Sequence, residues 1–155
     1  MYQLDFDKPI HVYFSGIGGI SMSGLAQILR SRGFEVSGSD RAASSITDEL
    51  AADGIRVIIG QKKENITPDI DLVVFTAAIR PDNPEYIAVM ENNIPHINRS
   101  VLLGQIMRGY KDPVAISGTH GKTTTTSMIS EIMMAAGTDP TLSIGGILDS
   151  IGGNV

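Results

Sequence analysis

Short apolar runs alternate with helical patterns along the first 109 residues of this 155-residue chain. Each run has the length of a buried strand, and the residues after it repeat at spacings of three and four, as on one face of a helix. Strands alternating with helices are typical of a parallel sheet covered on both faces. We therefore predict a Rossmann-like α/β domain with strands at 10–14, 34–38, 55–59, 72–75 and 94–97.

Glycines and capping residues predict where the helices begin and end. Gly33 is placed to stop the first helix after Met22–Leu29, and Gly54 to stop a second helix that starts at Ser45. A third helix should follow Pro84, and Ser100 is a candidate N-cap for a fourth. The polar segment 60–69 reads as a surface loop, and Pro95 makes the fifth strand an edge strand because proline lacks an N–H donor.

The first strand ends at a glycine turn that partly matches the dinucleotide-binding pattern Gly-x-Gly-x-x-Gly. Gly16 and Gly18 fit the pattern, and Ser21 stands at its third position. Asp40 follows Gly16 by 24 residues, close to the spacing expected of an acid that binds a ribose hydroxyl. The turn predicts that a phosphate group approaches the backbone here, and in a parallel sheet the ligand lies beyond the carboxyl ends of the strands.

A second glycine turn carries the residues of a phosphate-binding loop. The apolar run Val114–Ile116 predicts a strand, and Met128, Ile132 and their apolar neighbours predict a helix after the turn. Backbone N–H groups and the helix dipole would face a polyphosphate, with Lys122 on its terminal oxygens and Thr123 on Mg²⁺. Isoleucine replaces the first glycine of the general pattern. The predicted ATP-binding residues are Gly118, Thr119, His120, Gly121, Lys122, Thr123 and Thr124.

The breakers at 109–113 predict a domain boundary. We place the sheet domain at 1–109 and the beginning of a P-loop α/β domain at 110–155, which is too short for a whole domain of that kind; 141–147 reads as a further strand and turn. The net charge of −5 argues against a nucleic-acid surface. No segment reads as a signal peptide or a membrane span, and with no cysteine the chain fits the cytoplasm.

Two separate phosphate sites on one chain favour a ligase over other nucleotide-binding proteins. An enzyme that activates an acid with ATP needs one site for ATP and another for a nucleotide-linked substrate. An NAD-dependent oxidoreductase or a nucleotide-binding module would use Gly16 and Asp40 but would leave Lys122 without a role. These two remain the alternatives from other functional classes.

Several of these motifs together resemble the amino-terminal part of the Mur ligases. The matching segments are 11–12, 16–20, 22–26, 37–40, 82–85 and 118–125. Ser21 and the segment Thr76-Ala77-Ala78 depart from the family, which more usually has glycine and serine there. The resemblance covers nearly the whole chain.

The resemblance implies a cytoplasmic enzyme of three domains in peptidoglycan synthesis. It implies that L-alanine is joined to the carboxylate of UDP-N-acetylmuramate, with ATP and Mg²⁺, through an acyl phosphate; a ligase for the murein tripeptide is the alternative. It places Lys122 and Thr123 in catalysis and Thr123 on the metal. The expected UDP-sugar-binding residues are Gly16, Ile17, Gly18, Gly19, Ile20, Ser39, Asp40, Thr76, Ala77 and Arg80.

The metal needs a carboxylate as well, and the sequence offers none in a suitable place. Glu131 lies within the P-loop helix, and Asp139 and Asp149 lie in turns without a motif. We therefore expect residues 1–155 to bind the UDP-sugar without catalysing ligation.

Overall fold

A computed structural model describes residues 2–145 of the chain, and these form an α/β structure. Strands and helices alternate as the sequence predicts. The strands are β1 (His11–Ser15), β2 (Glu35–Asp40), β3 (Arg56–Ile59), β4 (Leu72–Phe75) and β5 (His96–Asn98). The helices are α1 (Ile20–Ser31), α2 (Ser45–Ala52), α3 (Pro84–Glu91), α4 (Arg99–Arg108) and α5 (Lys122–Ala135), and Lys63–Asn65 forms a 3₁₀ turn.

The five strands form one parallel sheet in the order β3-β2-β1-β4-β5. The predicted parallel sheet is therefore confirmed, with β5 at an edge. The chain leaves β1 in one direction to build β2 and β3, and returns to the other side of β1 to build β4. This reversal creates a crevice beyond the carboxyl ends of β1 and β4, which is where open α/β sheets bind their ligands.

The two faces of the sheet are packed by alternate residues of the central strands. Val12 and Phe14 of β1 belong to the larger apolar cluster, with residues of α1 and α4. Tyr13 points to the opposite face, where it joins Val73 and a residue of α3, Val89. Successive side chains of a strand alternate between faces, so helices cover both sides of β1 and bury it completely.

Glycines end α1 and α2 where the sequence predicts. Gly33 and Gly54 have positive φ angles of 86° and 80°, the left-handed conformation that closes a helix. Ser44 begins α2 with a capping box, because its side chain accepts from Thr47 N–H while the Thr47 hydroxyl accepts from Ser44 N–H. The predicted boundaries of these elements are correct to within a few residues.

The N-cap predicted at Ser100 is wrong. Asn98 precedes the first residue of α4, and Ser100 lies inside the first turn. The reason is that β5 continues into α4 without a loop, so the helix starts before the serine. The fifth strand is also shifted from 94–97 to His96–Asn98, since Ile94 N–H bonds to the carbonyl of Val89 and completes the end of α3 instead.

The strand predicted at Val114–Ile116 does not form. Residues 113–118 have no regular structure, and Val114 is 60% exposed. A strand requires a neighbour with which to share hydrogen bonds, and no described residue pairs with this run. The strand and turn predicted at 141–147 are likewise not seen at 141–145, and the rest of that segment lies outside the described residues.

The predicted helix after the second glycine turn is confirmed as α5, but its apolar side is not buried. Met128 and Ile132 are 63% and 69% exposed. None of the extensive contacts between described elements involves α5. Among residues 2–145, no helix is long and apolar enough to cross a membrane.

Candidate functional site

The glycine turn between β1 and α1 is fixed to the end of β2 by backbone hydrogen bonds. Gly16 N–H and Ile17 N–H both donate to the carbonyl of Ser39, at 2.8 and 2.9 Å. Gly16 has a φ of 89°, which favours glycine. The Ile17 side chain is fully buried and its N–H is used within the protein, so neither is available to a ligand.

Asp40 lies beside this turn, as its spacing predicts. Its Oδ2 accepts from Gly18 N–H at 2.8 Å and its Oδ1 from Arg41 N–H at 2.7 Å. A Cβ at residue 18 would lie 2.8 Å from Oδ2, so glycine allows this close approach. The carboxylate therefore anchors the turn.

The first turn of α1 and Arg99 lie next to one another. Gly19 is the N-cap residue, no side chain caps the helix, and the positive end of the helix dipole lies at this turn. Ile20, whose side chain is 38% exposed, is the first residue of α1. Ser21 follows, and its hydroxyl accepts from an Arg99 guanidinium N–H at 2.6 Å. The serine that replaces the third glycine thus anchors a cation near the helix N-terminus.

Of the residues predicted after β4, the structure brings Thr76 to the glycine turn. A Cβ at residue 16 would be 3.1 Å from the Thr76 Cγ2 atom. Ala77 is exposed in the following turn. Arg80 is 70% exposed and pairs with Asp82 at 3.1 Å.

A cavity of about 290 Å³ lies between the end of β2 and the start of α3. Its lining is mostly polar and contains two guanidinium groups and one carboxylate: Arg41, Gln61, Arg80, Asp82, Asn83 and Pro84. The cavity lies at the carboxyl ends of the strands, next to Asp40. Arginine suits phosphate because its planar group can donate two parallel hydrogen bonds.

A buried carboxylate, Glu85, lies beneath this region. It is fully buried in the first turn of α3, and its neighbours are hydroxyl and amide groups. Burial and the adjacent Glu85 carboxylate raise the pKa of the Tyr13 hydroxyl above 10.0. No local sequence pattern marks Glu85 as a buried residue, although it lies in one of the motifs of the family resemblance.

The other end of the sheet holds a polar cluster and a larger cavity. His11 Nε2 lies 2.7 Å from the Ser37 hydroxyl, and Nδ1 lies 3.0 Å from Asp69 Oδ2. A hydrogen bond from Thr67, reinforced by His11, lowers the pKa of Asp69. The adjacent cavity of about 420 Å³ includes none of the predicted site residues and lies at the amino ends of the strands. The smaller cavity, in contrast, lies at the carboxyl ends, where parallel sheets bind their ligands.

The second glycine turn has the geometry of an anion-binding loop. Gly121 is the N-cap of α5 with a φ of 77°, and no side chain caps the helix. The Lys122 ammonium group folds over the loop and donates to the carbonyl oxygens of Gly118 and Thr119, at 2.5 and 3.2 Å. A phosphate on the N-terminal amides of α5 would therefore meet this ammonium group.

The remaining P-loop residues are exposed, which leaves their polar groups open to a ligand. Thr119, His120, Thr123 and Thr124 all have exposed side chains. Within residues 2–145, the Thr123 hydroxyl makes no hydrogen bond to protein, so it is available to a cation. No group of three or more potential metal-binding side chains occurs in the described part of the chain, and Glu131 and Asp139 do not form one.

The sequence of residues 11–111 matches the Mur ligase family, catalytic domain. The chain belongs to the Mur ligase family. Two relatives are the UDP-N-acetylmuramate–L-alanine ligases of Lachnospira eligens and Agathobacter rectalis, which are 64% and 62% identical over 99% and 100% of this chain. The chain spans about a third of the length of these curated relatives, 34% in both cases.

Solved structures of Mur ligases have the same fold. The UDP-N-acetylmuramate–alanine ligase of Thermotoga maritima matches 94% of this chain and 34% of its own, with a TM-score of 0.87 and 36% identity. The UDP-N-acetylmuramate:L-alanyl-γ-D-glutamyl-meso-diaminopimelate ligase of Neisseria meningitides matches 95% of this chain and 46% of its own, with a TM-score of 0.87 and 31% identity. The fold therefore does not distinguish Mur ligases that use different amine substrates.

Proposed function

We propose that this chain is the amino-terminal part of an ATP-dependent ligase that joins L-alanine to the carboxylate of UDP-N-acetylmuramate in peptidoglycan synthesis. The observation that carries the proposal is the presence, on one chain of the Mur ligase family, of two glycine turns that each lead into a helix. One lies at the crevice of the sheet beside Asp40, and the other opens α5 with Lys122. The 64% identity to an L-alanine ligase supports this amine substrate.

The crevice of the sheet is suited to the UDP-sugar. The N-terminus of α1 directs the positive end of its helix dipole at the crevice where a diphosphate would lie, and Arg99 adds a cation at the same place. Asp40 is held where a ribose hydroxyl could donate to it. Arg41 and Arg80 add positive charge at the adjacent cavity. We propose that residues 1–109 form the domain that binds this substrate.

The turn at Gly118–Lys122 is suited to ATP with Mg²⁺, and we propose that residues 110–155 begin the ATP-binding domain. Lys122 would neutralise charge on the phosphates, and Thr123 would donate its hydroxyl oxygen to the metal. ATP supplies the phosphoryl group that converts the unreactive sugar carboxylate into an acyl phosphate. The protein's contribution is mainly alignment and charge neutralisation. A ligase that consumes ATP and a UDP-sugar works in the cytoplasm, where both are made.

A murein tripeptide ligase is the second candidate, because the Neisseria protein has the same TM-score to this chain. The amine is the discriminating substrate. A protein that carries this chain together with the rest of a ligase should release phosphate from ATP with UDP-N-acetylmuramate and L-alanine. Turnover with the tripeptide and none with L-alanine would reverse this choice.

The substrate domain can be tested on the 155-residue chain itself. We expect calorimetric titration to detect UDP-N-acetylmuramate and to show no comparable binding of NADH. Tight NADH binding without UDP-sugar binding would favour an oxidoreductase or a nucleotide-binding module. The 155-residue chain should show no ATP-dependent ligation, and measurable ligation would contradict our assignment of 110–155 as only the beginning of the ATP domain.

A further inference from the structure

Glu85 is a buried carboxylate whose four acceptor positions are all occupied. Oε1 accepts from the Tyr13 hydroxyl at 2.8 Å and from the Asn65 amide at 2.7 Å. Oε2 accepts from the hydroxyls of Ser15 and Ser39, at 2.5 and 2.8 Å. The donors come from β1, β2 and the 3₁₀ turn. A full set of donors is what an ionised carboxylate needs in order to stay buried.

An ionised carboxylate can only accept hydrogen bonds, so it dictates the direction of every bond around it. The Ser15 hydroxyl must give its proton to Glu85. Its oxygen therefore accepts from elsewhere, and the Gln61 amide N–H donates to it at 3.2 Å. The Gln61 carbonyl oxygen must then face away from Ser15.

The rest of the network requires the same orientation of Gln61. Asn83 Oδ1 accepts from the backbone N–H groups of Glu85 and Tyr86, at 2.9 and 3.3 Å, so its NH₂ group faces Gln61. Gln61 Oε1 accepts from this NH₂ group at 2.8 Å and from Arg41 Nε at 3.5 Å. All three of Gln61, Asn83 and Arg41 line the 290 Å³ cavity.

We infer that Glu85 is a positioning residue of the proposed UDP-sugar site. Acting through Ser15, its carboxylate fixes the direction of the Gln61 amide, whose oxygen holds Asn83 and Arg41 at the cavity. Arg41 is thereby held where it adds positive charge to the cavity of the proposed UDP-sugar site. This inference rests on the proposed function, because it assigns the cavity to the UDP-sugar.

The variant Glu85→Gln keeps the size of the side chain and introduces an NH₂ group. The new NH₂ group does not fit at the position of Oε1, because it would meet the NH₂ group of Asn65. Asn65 cannot turn this group away, since it also donates to the carbonyl of Gly60 at 2.9 Å. The new NH₂ group therefore faces Ser15 and Ser39, whose hydroxyls can rotate. Ser15 then donates towards Gln61, while Asn83 still requires the Gln61 oxygen. The Gln61 amide cannot satisfy both donors in one orientation, so its hold on Arg41 weakens.

The matched control is Tyr13→Phe. It removes a hydrogen bond from the same carboxylate, but from Oε1, and leaves the branch through Ser15 intact. Both variants disturb the same buried charge and should lower stability. Only Glu85→Gln should reverse the direction of the bonds that reach the cavity.

The experiment measures UDP-N-acetylmuramate affinity by calorimetry and stability by urea unfolding, on the whole 155-residue chain. We expect Glu85→Gln to weaken affinity by about tenfold or more, in the range for a lost hydrogen bond to a charged group, while Tyr13→Phe stays within about twofold. The variant Ser15→Ala keeps the carboxylate but removes its Ser15 hydrogen bond and the link to Gln61, and it should also weaken affinity by about tenfold. It serves as the test if Glu85→Gln does not fold.

Combining Glu85→Gln with Gln61→Leu tests whether the effect passes through Gln61. The double variant should bind no more weakly than Gln61→Leu alone, since residues in one network are not additive. Additive losses, or equal losses in Glu85→Gln and Tyr13→Phe, would overturn the inference while the proposed function stands. If the wild-type chain does not bind UDP-N-acetylmuramate, both the proposed function and the role of Glu85 are wrong.

Discussion

Gly38 occupies a place in β2 where no side chain fits, and we expect Gly38→Ala to destabilise the protein strongly. A Cβ there would lie 2.4 Å from the carbonyl oxygen of Phe14 and 2.9 Å from Cδ1 of Ile17. Phe14 pairs with Gly38 in the sheet, and Ile17 belongs to the glycine turn. The missing side chain therefore leaves room for the turn to pack on the sheet.

The expected cost follows from which atoms must move. Overpacking a buried site costs about 1–3 kcal/mol. The closest neighbour here is a backbone carbonyl in the central strand, which cannot rotate away, so we expect a loss of about 3 kcal/mol. With a urea m-value of about 1–3 kcal/mol per molar, the unfolding midpoint should fall by roughly 1–3 M.

Gly104→Ala is the matched control for this substitution. Gly104 lies within α4, and a Cβ there would have no heavy atom within 4 Å. Alanine is favoured over glycine inside a helix by about 0.5–1 kcal/mol, so this variant should be more stable than the wild type. Urea unfolding followed by circular dichroism measures both. A neutral Gly38→Ala, or the same sign for both variants, would refute the packing argument.

Three further predictions concern other parts of the chain. Because the pKa of Tyr13 is raised in the folded state, the contribution of this tyrosine to stability is complete below pH 10 and is lost at higher pH. In urea unfolding above pH 10, the free energy of unfolding of the wild type should fall by about 1.4 kcal/mol per pH unit more than that of Tyr13→Phe. Parallel curves for the two proteins would contradict this. Gln105 accepts from Leu4 N–H and donates to the Tyr2 carbonyl, both at 2.8 Å, so Gln105→Leu should expose the Leu4 amide to hydrogen exchange and cost about 1–2 kcal/mol; unchanged protection of this amide would argue against the tether. In a protein that contains the whole ligase, Lys122→Ala should abolish turnover and leave UDP-sugar affinity within about twofold, since the proposed ATP and UDP-sugar sites are separate. Equal loss of turnover and of affinity would show that the two sites are coupled.

The order of elements was predictable because local signals and tertiary structure agree in the first 109 residues. The fourth strand, Leu72–Phe75, is correct at both ends, because it is apolar throughout and polar residues flank it. Gly33 and Gly54 mark helix ends through a backbone conformation that is a local property. The position of Asp40 beside the glycine turn follows from the topology of one βαβ unit.

The errors and omissions arise where distant residues decide the structure. The run at Val114–Ile116 has the composition of a strand but finds no neighbour among the described residues. Glu85 appears in the sequence as an ordinary acid in the first turn of a helix, where the dipole favours it. Its burial depends on Tyr13 and Ser39, which are 72 and 46 residues away, and no local pattern reports such contacts.

The pairing of β1 with β4 has a consequence for how the protein assembles. It joins Val12 to Leu72, which are 60 residues apart, whereas the other strand pairs join residues about 20 apart. Closing such a long loop costs more chain entropy than forming the neighbouring pairs. Glu85 reaches across the same junction, so the cavity exists only after the two halves of the sheet have joined. A nucleotide ligand that binds there will stabilise the joined state selectively, and its effect on folding will report on this one junction.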